Sequence, residues 1–580
     1  MSEPKITRRD FLKTSAWASA LFAATPFWVN DLDQAMPMDY LSPVGINVPM
    51  EWTTPADLAN TDPVVLTLNR IAFGPRAGDV ERVRAMGVDA YIEQQLAPAL
   101  IDDAAMNEML RVFPSLTMEI PELVKYYAEP FMGTQPATQG NDVVSAVRGF
   151  LGLFENKTEM SPTMDAMPMN AENRMQSVLE LVQATVLRQV YSERQLFEVM
   201  VDFWSNHFNI YALKNQCRIL KTWDDRAVIR KHALGKFRDL LFATAHSPAM
   251  LVYLDNVSNV KGVPQENYAR ELMELHTLGV DGGYSHHDVE EVARAFTGWT
   301  VVAPRKSGFD FDYAEAGNFL FRKQQHDDGE KHILGAMILA GGGVRDGEDV
   351  LNMLAAHPKT AEFVSFKLVR RFVDDNPPAS LVAGAADTFT KTDGDIRAVL
   401  STILHSDEFT TSFGKKVKRP LEFIASSLRA LDASLTDADL KKIPLKSYDK
   451  RANGKNRIAD EPLAKTLRTL GQVPFLWQAP NGYPDVASAW VNTNNLLARW
   501  NFALALTTNR VAEFDVALDA NAQNVSPDAL VDEWSARVLQ RALPDADRAK
   551  LIEYVRGDES EARVENLVAL LIASPHFQYR

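Results

Sequence analysis

Four polar side chains in residues 265–279 have the types and the spacing that acid–base chemistry or metal binding requires. They recur at intervals that place them on one face of a predicted helix: Asn267, Arg270, Glu271 and Glu274. Carboxylates beside an arginine can act as general acid and base, and their oxygens can bind a divalent cation. We therefore predict that the arginine and the two glutamates are catalytic candidates, that the asparagine is a binding residue, and that a divalent metal ion is a candidate cofactor. The alternative interpretation is a hydrogen-bond and salt-bridge network that fixes helix packing.

A second polar segment, residues 326–335, carries two histidines, three acids and a lysine close to glycines. Loops with such residues often carry function, because a rigid scaffold holds them in place. We predict His326 and Asp327 as further catalytic candidates and Lys331 as a binding residue. A purely structural turn is the alternative interpretation.

Residues 473–484 form an aromatic and proline-rich loop, and the helix that follows it adds amide and guanidinium groups. Aromatic rings beside amides are typical of saccharide-binding surfaces, and the same residues also serve as anchors for helix packing. We predict that Asn481, Trp490 and Arg499 bind a ligand, with helix packing as the alternative.

Local signals define the helices that must position the first group. Gly279 is expected to end the first helix in a left-handed conformation. Ser285 followed by Asp288 is a capping-box pattern that begins a second helix, and Gly298 ends it. Helical patterns with short turns continue along most of the chain, whereas residues 300–322 alternate like a small β-hairpin. The predicted fold class is mainly α, a multi-helical globular fold of short helices with this one hairpin.

Another predicted helix, residues 195–208, carries a polar stripe at intervals of three and four: Glu198, Asp202, Asn206 and Asn209. His207 lies five residues after Asp202, so the two side chains point in different directions on a regular helix. We therefore interpret His207 as a structural residue and not as a metal ligand.

The composition excludes several classes of site. The chain has 580 residues, a formal net charge of -15 and a pI near 5.3. This acidity argues against a nucleic-acid partner, because neutralising phosphates needs clustered Lys and Arg. Cys217 is the only cysteine, so one chain can form neither an intramolecular disulfide nor a thiolate-built zinc or iron–sulfur site. We interpret Cys217 as a buried thiol without a catalytic role.

The N-terminal segment has the pattern of a twin-arginine export signal. Residues 7–13 read Thr-Arg-Arg-Asp-Phe-Leu-Lys, and a short apolar stretch follows at residues 15–29. Its length and the interruption at Pro26 fit a signal segment better than a membrane span of about 20 residues. We expect the twin-arginine translocase to export the chain to the periplasm or cell surface, and we expect no transmembrane domain beyond the signal segment.

The predicted organisation has three parts, a signal segment at residues 1–30, a linker at 31–62 and one mostly helical domain at 63–580. Two segments interrupt the domain. Residues 131–173 are rich in Met and Pro and are predicted to be an insertion. Residues 433–461 are rich in Asp and Lys and are predicted to be an exposed, charged excursion.

Several motifs, in order along the chain, resemble one large family of exported bacterial proteins. They are Leu-Asn-Arg-Ile-Ala-Phe-Gly-Pro at 68–75, Asp-Phe-Trp-Ser-Asn-His-Phe at 202–208, Glu-Asn-Tyr-Ala-Arg-Glu at 266–271, Ala-Arg-Ala-Phe-Thr-Gly-Trp at 293–299 and Pro-Asn-Gly at 480–482. The family is catalogued as domain of unknown function eighteen hundred, and the resemblance spans residues 64–580. It implies a mostly helical exported protein, often encoded beside a sulfatase-like protein, and no established activity.

Two functions from different classes fit these residues. The first is an extracytoplasmic hydrolase of a polymer or of a sulfated or phosphorylated substrate, with residues 270–274 and 326–327 as an acid, Arg and His site. The second is a non-catalytic scaffold or maturation partner of a co-exported, sulfatase-like protein or of a surface polymer. The chain has no nucleophile elbow, P-loop, His-Glu-x-x-His helix or dinucleotide fingerprint, so no motif assigns it to an enzyme class.

Overall fold

The computed structural model describes residues 62–127, 173–303, 305–307, 310–435, 462–511, 514–518, 525–558 and 560–580. The predicted signal segment lies outside these ranges. So do the predicted linker and the Met- and Pro-rich insertion, each except for its last residue, and the charged excursion beyond its first three residues.

Short α-helices dominate the described chain. In its first half they are α1 (Pro63–Ile71), α2 (Asp79–Met86), α3 (Val88–Leu96), α4 (Ala104–Met109), α5 (Ile120–Tyr127), α6 (Asn173–Tyr191), α7 (Gln195–His207), α8 (Cys217–Asp224), α9 (Phe237–Ala245), α10 (Pro248–Tyr253), α11 (Asn267–Glu271) and α12 (His286–Ala295). In its second half they are α13 (Arg345–Ala356), α14 (Pro358–Phe372), α15 (Ala379–Lys391), α16 (Ile396–Leu404), α17 (Asp407–Thr410), α18 (Pro420–Ala430), α19 (Pro462–Thr469), α20 (Thr493–Thr507), α21 (Pro527–Leu539), α22 (Asp545–Gly557), α23 (Arg563–Ala573) and α24 (Pro575–Gln578). The predicted mainly α fold is confirmed. None of the described helices is both long and apolar enough to cross a membrane.

The strands are short and pair only in antiparallel twos within the described residues. They are β1 (Trp299–Val301), β2 (Arg305–Ser307), β3 (Asp310–Asp312), β4 (Phe319–Phe321), β5 (Lys331–Ile333), β6 (Ala336–Ile338), β7 (Ser434–Leu435) and β8 (Phe514–Asp515). The pairs are β1 with β4, β2 with β3, β5 with β6 and β7 with β8. The β1–β4 and β2–β3 pairs confirm the predicted hairpin near 300–322.

The polar segment 326–335, predicted to be a loop, is only partly a loop. Its second half forms β5 and the turn of a hairpin, in which Lys331 lies opposite Ile338. Leu334 and Gly335 both have positive φ angles at this turn, 51° and 78°. Three residues are too few for a strand period to be recognised in the sequence, which explains why β5 was not predicted.

The first predicted site region folds as its local signals indicate. Gly279 has a φ of 82° after α11 and a π-helical extension at Leu272–Thr277. The Asp288 N–H donates to Ser285 Oγ at 3.2 Å, and the Ser285 N–H donates to Asp288 Oδ2 at 2.8 Å, so the capping box begins α12. Gly298 follows α12 with a φ of 80°, and a Cβ there would lie 2.7 Å from a backbone oxygen.

One hydrophobic core runs through the described chain, and α18 lies inside it. Every residue of α18 is buried, which marks a helix surrounded by protein on all sides. Pro420 occupies its first turn, and the Glu422 carboxylate accepts the Arg419 N–H at 2.9 Å, so the N-terminal end of the helix is capped. This buried helix forms a wall of both pockets described below.

Candidate functional site

The predicted polar face of α11 lies on the protein surface, in a group that we call the acid–histidine surface. Its members are Glu266, Arg270, Glu271, Glu274, His286 and Glu290. Arg270 Nη2 donates to Glu266 Oε2 at 2.8 Å, and His286 Nδ1 lies 3.7 Å from the same oxygen. The amide of Asn267 contacts the Leu254 carbonyl oxygen and a carboxylate oxygen of Asp255, both at 3.3 Å.

The acid–histidine surface has two features that chemistry could use. Partial burial and the neighbouring Glu274 carboxylate raise the pKa of Glu271. Donor atoms of Glu266, His286 and Glu290 all lie within 4.8 Å of one another, a spacing that suits a divalent cation. Arg270 competes for the same Glu266 oxygen, so a cation would have to displace the guanidinium.

The second predicted group forms a tight internal network. His326 is buried, with Nδ1 2.8 Å from the Thr297 carbonyl oxygen and Nε2 3.2 Å from Asp346 Oδ2. Lys331 is fully buried and donates to the same Asp346 oxygen at 2.5 Å. Asp327 accepts two hydrogen bonds from Arg294, at 2.9 and 3.1 Å, and this guanidinium lowers the pKa of Asp327 to about 2.

The structure does not bring the two predicted catalytic groups together. His286, at the start of α12, contacts Glu266 of the acid–histidine surface. Arg294, near the end of the same helix, binds Asp327. Eight residues of helix separate these contacts, a rise of roughly 12 Å. A single site that uses both groups is therefore not formed in this conformation.

The three predicted ligand-binding residues near the aromatic loop are also engaged within the chain. Asn481 is exposed, and its Oδ1 accepts a hydrogen bond from the Trp477 indole at 2.9 Å. Trp490 is buried and donates to the Pro484 carbonyl oxygen at 2.9 Å. Arg499 is fully buried and donates to Gln578 and to a backbone oxygen. The Arg499 contacts fit the helix-packing alternative, whereas the Asn481 and Trp490 contacts are local to residues 477–490.

Two residues interpreted as structural are buried. His207 Nε2 lies 3.1 Å from the His276 carbonyl oxygen, and its Nδ1 lies 2.8 Å from Lys367 Nζ. Burial, together with the Lys367 ammonium, holds the pKa of His207 well below its ordinary value. Burial likewise raises the pKa of the Cys217 thiol to about 12, which leaves no reactive thiolate at neutral pH.

A cavity lies elsewhere, beside the polar stripe of α7. This polar pocket lies between α6, α7, the π-helical segment Asp225–Arg230, α18 and residues 472–483, and its space for the centres of water-sized spheres is about 30 Å³. Its polar lining includes Gln189, Glu198, Asp202, Ser205, Asn206 and Asn209. About 10–15 Å³ of such space is needed to hold one water molecule, so the pocket has room for a small polar group.

The aromatic loop closes this pocket and is held firmly in place. The Asn206 side chain exchanges two hydrogen bonds with the Tyr483 backbone, at 2.7 and 2.8 Å. The Asn209 amide donates to the carbonyl oxygens of Trp477 and Ala479, at 3.0 and 2.7 Å. Gly482 has a φ of 71°, and a Cβ there would lie 2.2 Å from the Asn206 carbonyl oxygen, so the loop requires glycine.

Two polar side chains in the pocket have no partner within the described protein. The Gln189 side chain is buried, and neither its oxygen nor its nitrogen makes a hydrogen bond. Ser205 Oγ is also buried without a partner. Leaving such a group unsatisfied costs about 1–3 kcal/mol, and a polar molecule in the pocket would recover it. Ser205 has no base beside it and is therefore not an activated nucleophile.

The charged groups of the pocket are paired with one another. Glu198 and Arg230 form a two-point ion pair, with one contact at 2.9 Å. Burial alone would lower the pKa of Arg230, but the Glu198 carboxylate outweighs burial and raises it. Asp202 pairs with Arg419, and Asp225 lies 3.7 Å from Arg188. With its acids and arginines matched, the pocket favours an uncharged ligand that offers hydroxyl donors and acceptors.

The sequence predicted the polar stripe of this pocket but not the loop that faces it. The stripe of Glu198, Asp202, Asn206 and Asn209 was visible as a helical period, but nothing local indicated what it would face. Its partner loop lies almost 280 residues further along the chain, since Asn206 binds Tyr483. The glycine at 482, between asparagine and an aromatic residue, was the one local signal that a close backbone approach was needed.

The fold and the pocket together describe a multi-helical protein with a polar pocket between its helices. A family model described as protein of unknown function (DUF1800) matches residues 66–579. The chain therefore belongs to this family, as its motifs indicated. No curated protein and no solved structure matches it.

Proposed function

We propose that this protein is exported by the twin-arginine translocase and binds a neutral, hydroxyl-rich group of a surface polymer, most simply a saccharide unit, in the polar pocket. The observation that carries the proposal is the buried Gln189 amide, which has no partner among the described residues. A sugar hydroxyl both donates and accepts, so it can satisfy the nitrogen and the oxygen of this amide.

Further features support a saccharide over other small molecules. The pocket combines amides and carboxylates with the rings of Phe475 and Tyr483. Carboxylates held by arginines remain good acceptors for hydroxyl groups, and aromatic rings cover the apolar faces of a sugar. The proposed role is binding, because Glu198 and Asp202 are both held in ion pairs with arginines.

The experiment is a binding screen with a matched pair of variants. Full-length protein is titrated calorimetrically with a panel of soluble neutral oligosaccharides. Gln189→Leu removes the unpartnered amide, and Gln176→Leu on the same helix removes an amide that already donates to Glu180 at 2.7 Å. We expect one oligosaccharide to bind the wild type and Gln176→Leu with similar affinity, and Gln189→Leu at least tenfold more weakly.

Two outcomes would overturn the proposal. The first is that no oligosaccharide binds the wild type with a dissociation constant below about 1 mM. The second is that Gln189→Leu and Gln176→Leu bind equally well. A saccharide site elsewhere on the molecule would give the second result.

A second candidate function, a metal-assisted hydrolase at the acid–histidine surface, is favoured by one observation. The Glu266, His286 and Glu290 donor atoms converge, and Glu271 beside them has a raised pKa, as a general acid needs. The test is calorimetric titration with Zn²⁺ or Mn²⁺, followed by assays on p-nitrophenyl sulfate and phosphate. His286→Ala should abolish binding and turnover, whereas His332→Ala, which removes an exposed histidine paired with Glu330, should not. Absence of metal binding to the wild type contradicts this candidate.

A further inference from the structure

A second pocket, which we call the cationic pocket, lies on another part of α18. Its space for the centres of water-sized spheres is about 10 Å³, and α1, α18, the end of α21 and α24 contribute to its lining. The polar residues that carry the argument are Lys418, Ser426, Arg541 and His576. Apolar side chains such as Val538 and Phe577 complete the walls.

Lys418 is an unusual buried cation. It is 4% exposed, its Nζ donates to Ser426 Oγ at 2.7 Å, and it lies 3.7 Å from the centre of the Phe577 ring. Among the described residues, no carboxylate oxygen lies within 4.0 Å of it. Burial, and next the charge of Arg580, lowers the pKa of Lys418 well below its ordinary value.

Some other buried cations of this protein are matched with acids, whereas Arg70 and Arg499 donate to carbonyl oxygens instead. Lys221 lies 2.6 Å from Asp224, and Arg429 lies 3.1 Å from Asp79. An isolated buried ammonium is strongly unfavourable, so a buried lysine normally has an anionic partner. Among the described residues, the ammonium of Lys418 has neither an acid nor a carbonyl oxygen as partner, only the Ser426 hydroxyl, and this feature requires an explanation.

A second cation faces the same pocket without an acid. Arg541 Nη2 donates to the His576 carbonyl oxygen at 3.1 Å, and its guanidinium lies 5.3 Å from the centre of the Phe413 ring. Within the described chain it too has no carboxylate oxygen inside 4.0 Å. Burial lowers the pKa of Arg541 to about 10, so it remains charged at neutral pH. The acid that contacts His576 is Asp547, whose Oδ2 lies 3.0 Å from His576 Nε2.

We propose that the cationic pocket binds a small oxyanion, a sulfate or phosphate group, between Lys418 and Arg541. The ammonium of Lys418 supplies a buried positive charge. The guanidinium of Arg541 supplies two donors in one plane, which suits the oxygens of sulfate and phosphate. Ser426 can reorient its hydroxyl toward the anion. The group is either a free inorganic ion or part of a larger ester, and the two share this chemistry.

The test is equilibrium dialysis of the full chain against radiolabelled sulfate and phosphate in low-chloride buffer. We expect about one anion bound per chain for the wild type. Lys418→Met and Arg541→Met should each weaken binding at least tenfold. Arg548→Met, which removes the same charge from a surface arginine paired with Asp532 at 2.6 Å, should bind like the wild type.

The source of the anion is resolved by competition with methyl sulfate. Displacement of labelled sulfate by methyl sulfate supports a site for the sulfate group of a larger ligand. Failure of methyl sulfate to displace it supports a site for the free ion. Circular dichroism confirms that each variant is folded, and Arg541→Met provides the test if Lys418→Met does not fold. Absence of sulfate and phosphate binding to the wild type, or equal binding by the wild type and the folded pocket variants, overturns the proposal.

Discussion

The polar pocket and the cationic pocket share α18 as a wall, yet their buried charges differ. The acids of the polar pocket pair with arginines, whereas Lys418 and Arg541 of the cationic pocket have no carboxylate within 4.0 Å among the described residues. Leu421 of this helix lines the polar pocket, and Ser426 lines the cationic one. Just before the helix, two neighbouring residues divide in the same way. Arg419 pairs with Asp202 of the polar pocket, whereas Lys418 meets only a hydroxyl and an aromatic ring in the cationic pocket.

The difference teaches how a single buried helix can serve two kinds of ligand. Where each buried charge has a partner within the protein, an incoming ligand gains nothing from charge and must compete through hydrogen bonds. Where a buried cation has no partner, an anion gains most of its binding energy by supplying one. We therefore infer a neutral ligand for the first pocket and an anionic ligand for the second.

The largest expected effect comes from removing the acid that holds the common wall together. Glu422 contacts Arg371, Arg419 and Arg580, the last two at 3.0 and 3.3 Å. Glu422→Gln should lower the free energy of unfolding by about 3–5 kcal/mol, because it leaves several buried guanidinium groups without their shared acceptor. Urea denaturation at neutral pH measures it, and a loss below about 1 kcal/mol would show that the network is not needed.

Glu422 should also change how the free energy of unfolding depends on pH. Burial would raise the pKa of Glu422, but Arg371 first, then Arg419 and Arg580, hold it well below its ordinary 4.5. Its stabilising contribution is therefore complete above pH 4.5 and is lost as the pH falls toward the lowered pKa. The wild type should lose stability more steeply in this acid range than Glu422→Gln does.

The next largest loss of stability should come from a substitution in the aromatic loop of the polar pocket. Gly482→Ala forces a positive φ angle on alanine and places a Cβ against the Asn206 carbonyl oxygen. We expect a loss of about 2–4 kcal/mol and release of the aromatic loop. Gly384→Ala, in the middle of α15 with nothing within 4 Å of the new Cβ, is the matched control and should be neutral or slightly stabilising. Equal melting temperatures for the two variants would contradict the role of the loop.

A smaller change, a gain in stability, is expected from a substitution in the cationic pocket. Lys418→Met removes an unpaired buried charge and should raise the free energy of unfolding of the ligand-free protein by about 1–2 kcal/mol. The neighbouring Arg419→Met should lower it, because Asp202 and Glu422 lose a partner. Since the folded-state pKa of Lys418 lies below its ordinary 10.5, the advantage of methionine should shrink as the pH rises toward 10.5. Destabilisation by both variants would show that Lys418 is not an uncompensated charge.

The smallest change in stability is expected from a substitution at the acid–histidine surface. Arg270 makes an exposed ion pair with Glu266, and such pairs contribute less than about 0.5 kcal/mol. Arg270→Ala should therefore leave the melting temperature nearly unchanged. A large destabilisation would instead support the packing network that the sequence left open as an alternative.

The sequence predicted the helices well wherever short-range signals decide them. The capping box of Ser285 and Asp288 and the glycines at 279 and 298 act over a few residues, and the structure reproduces all of them. A helical period in the sequence also identified the polar face of α11 and the stripe of α7. These features depend on residues within one or two turns of each other.

The partners of those faces could not be predicted, because tertiary packing selects them. His326 and Asp327 appeared as loop residues, yet Asp346 and Arg294 from two helices bind them. Lys418 and Arg419 look equivalent in the sequence, but only the fold gives one an acid and the other none. The two pockets therefore emerged only when segments more than a hundred residues apart were brought together.

The central claim is that the polar pocket binds a saccharide unit. The most direct test is to soak crystals of the protein in the oligosaccharide that binds best in the calorimetric screen and to determine their structure. The account predicts a sugar unit in the polar pocket, with hydroxyl groups within hydrogen-bond distance of the Gln189 amide and Ser205 Oγ. A sugar bound elsewhere, with Gln189 still unpartnered or bonded only to water, would contradict it.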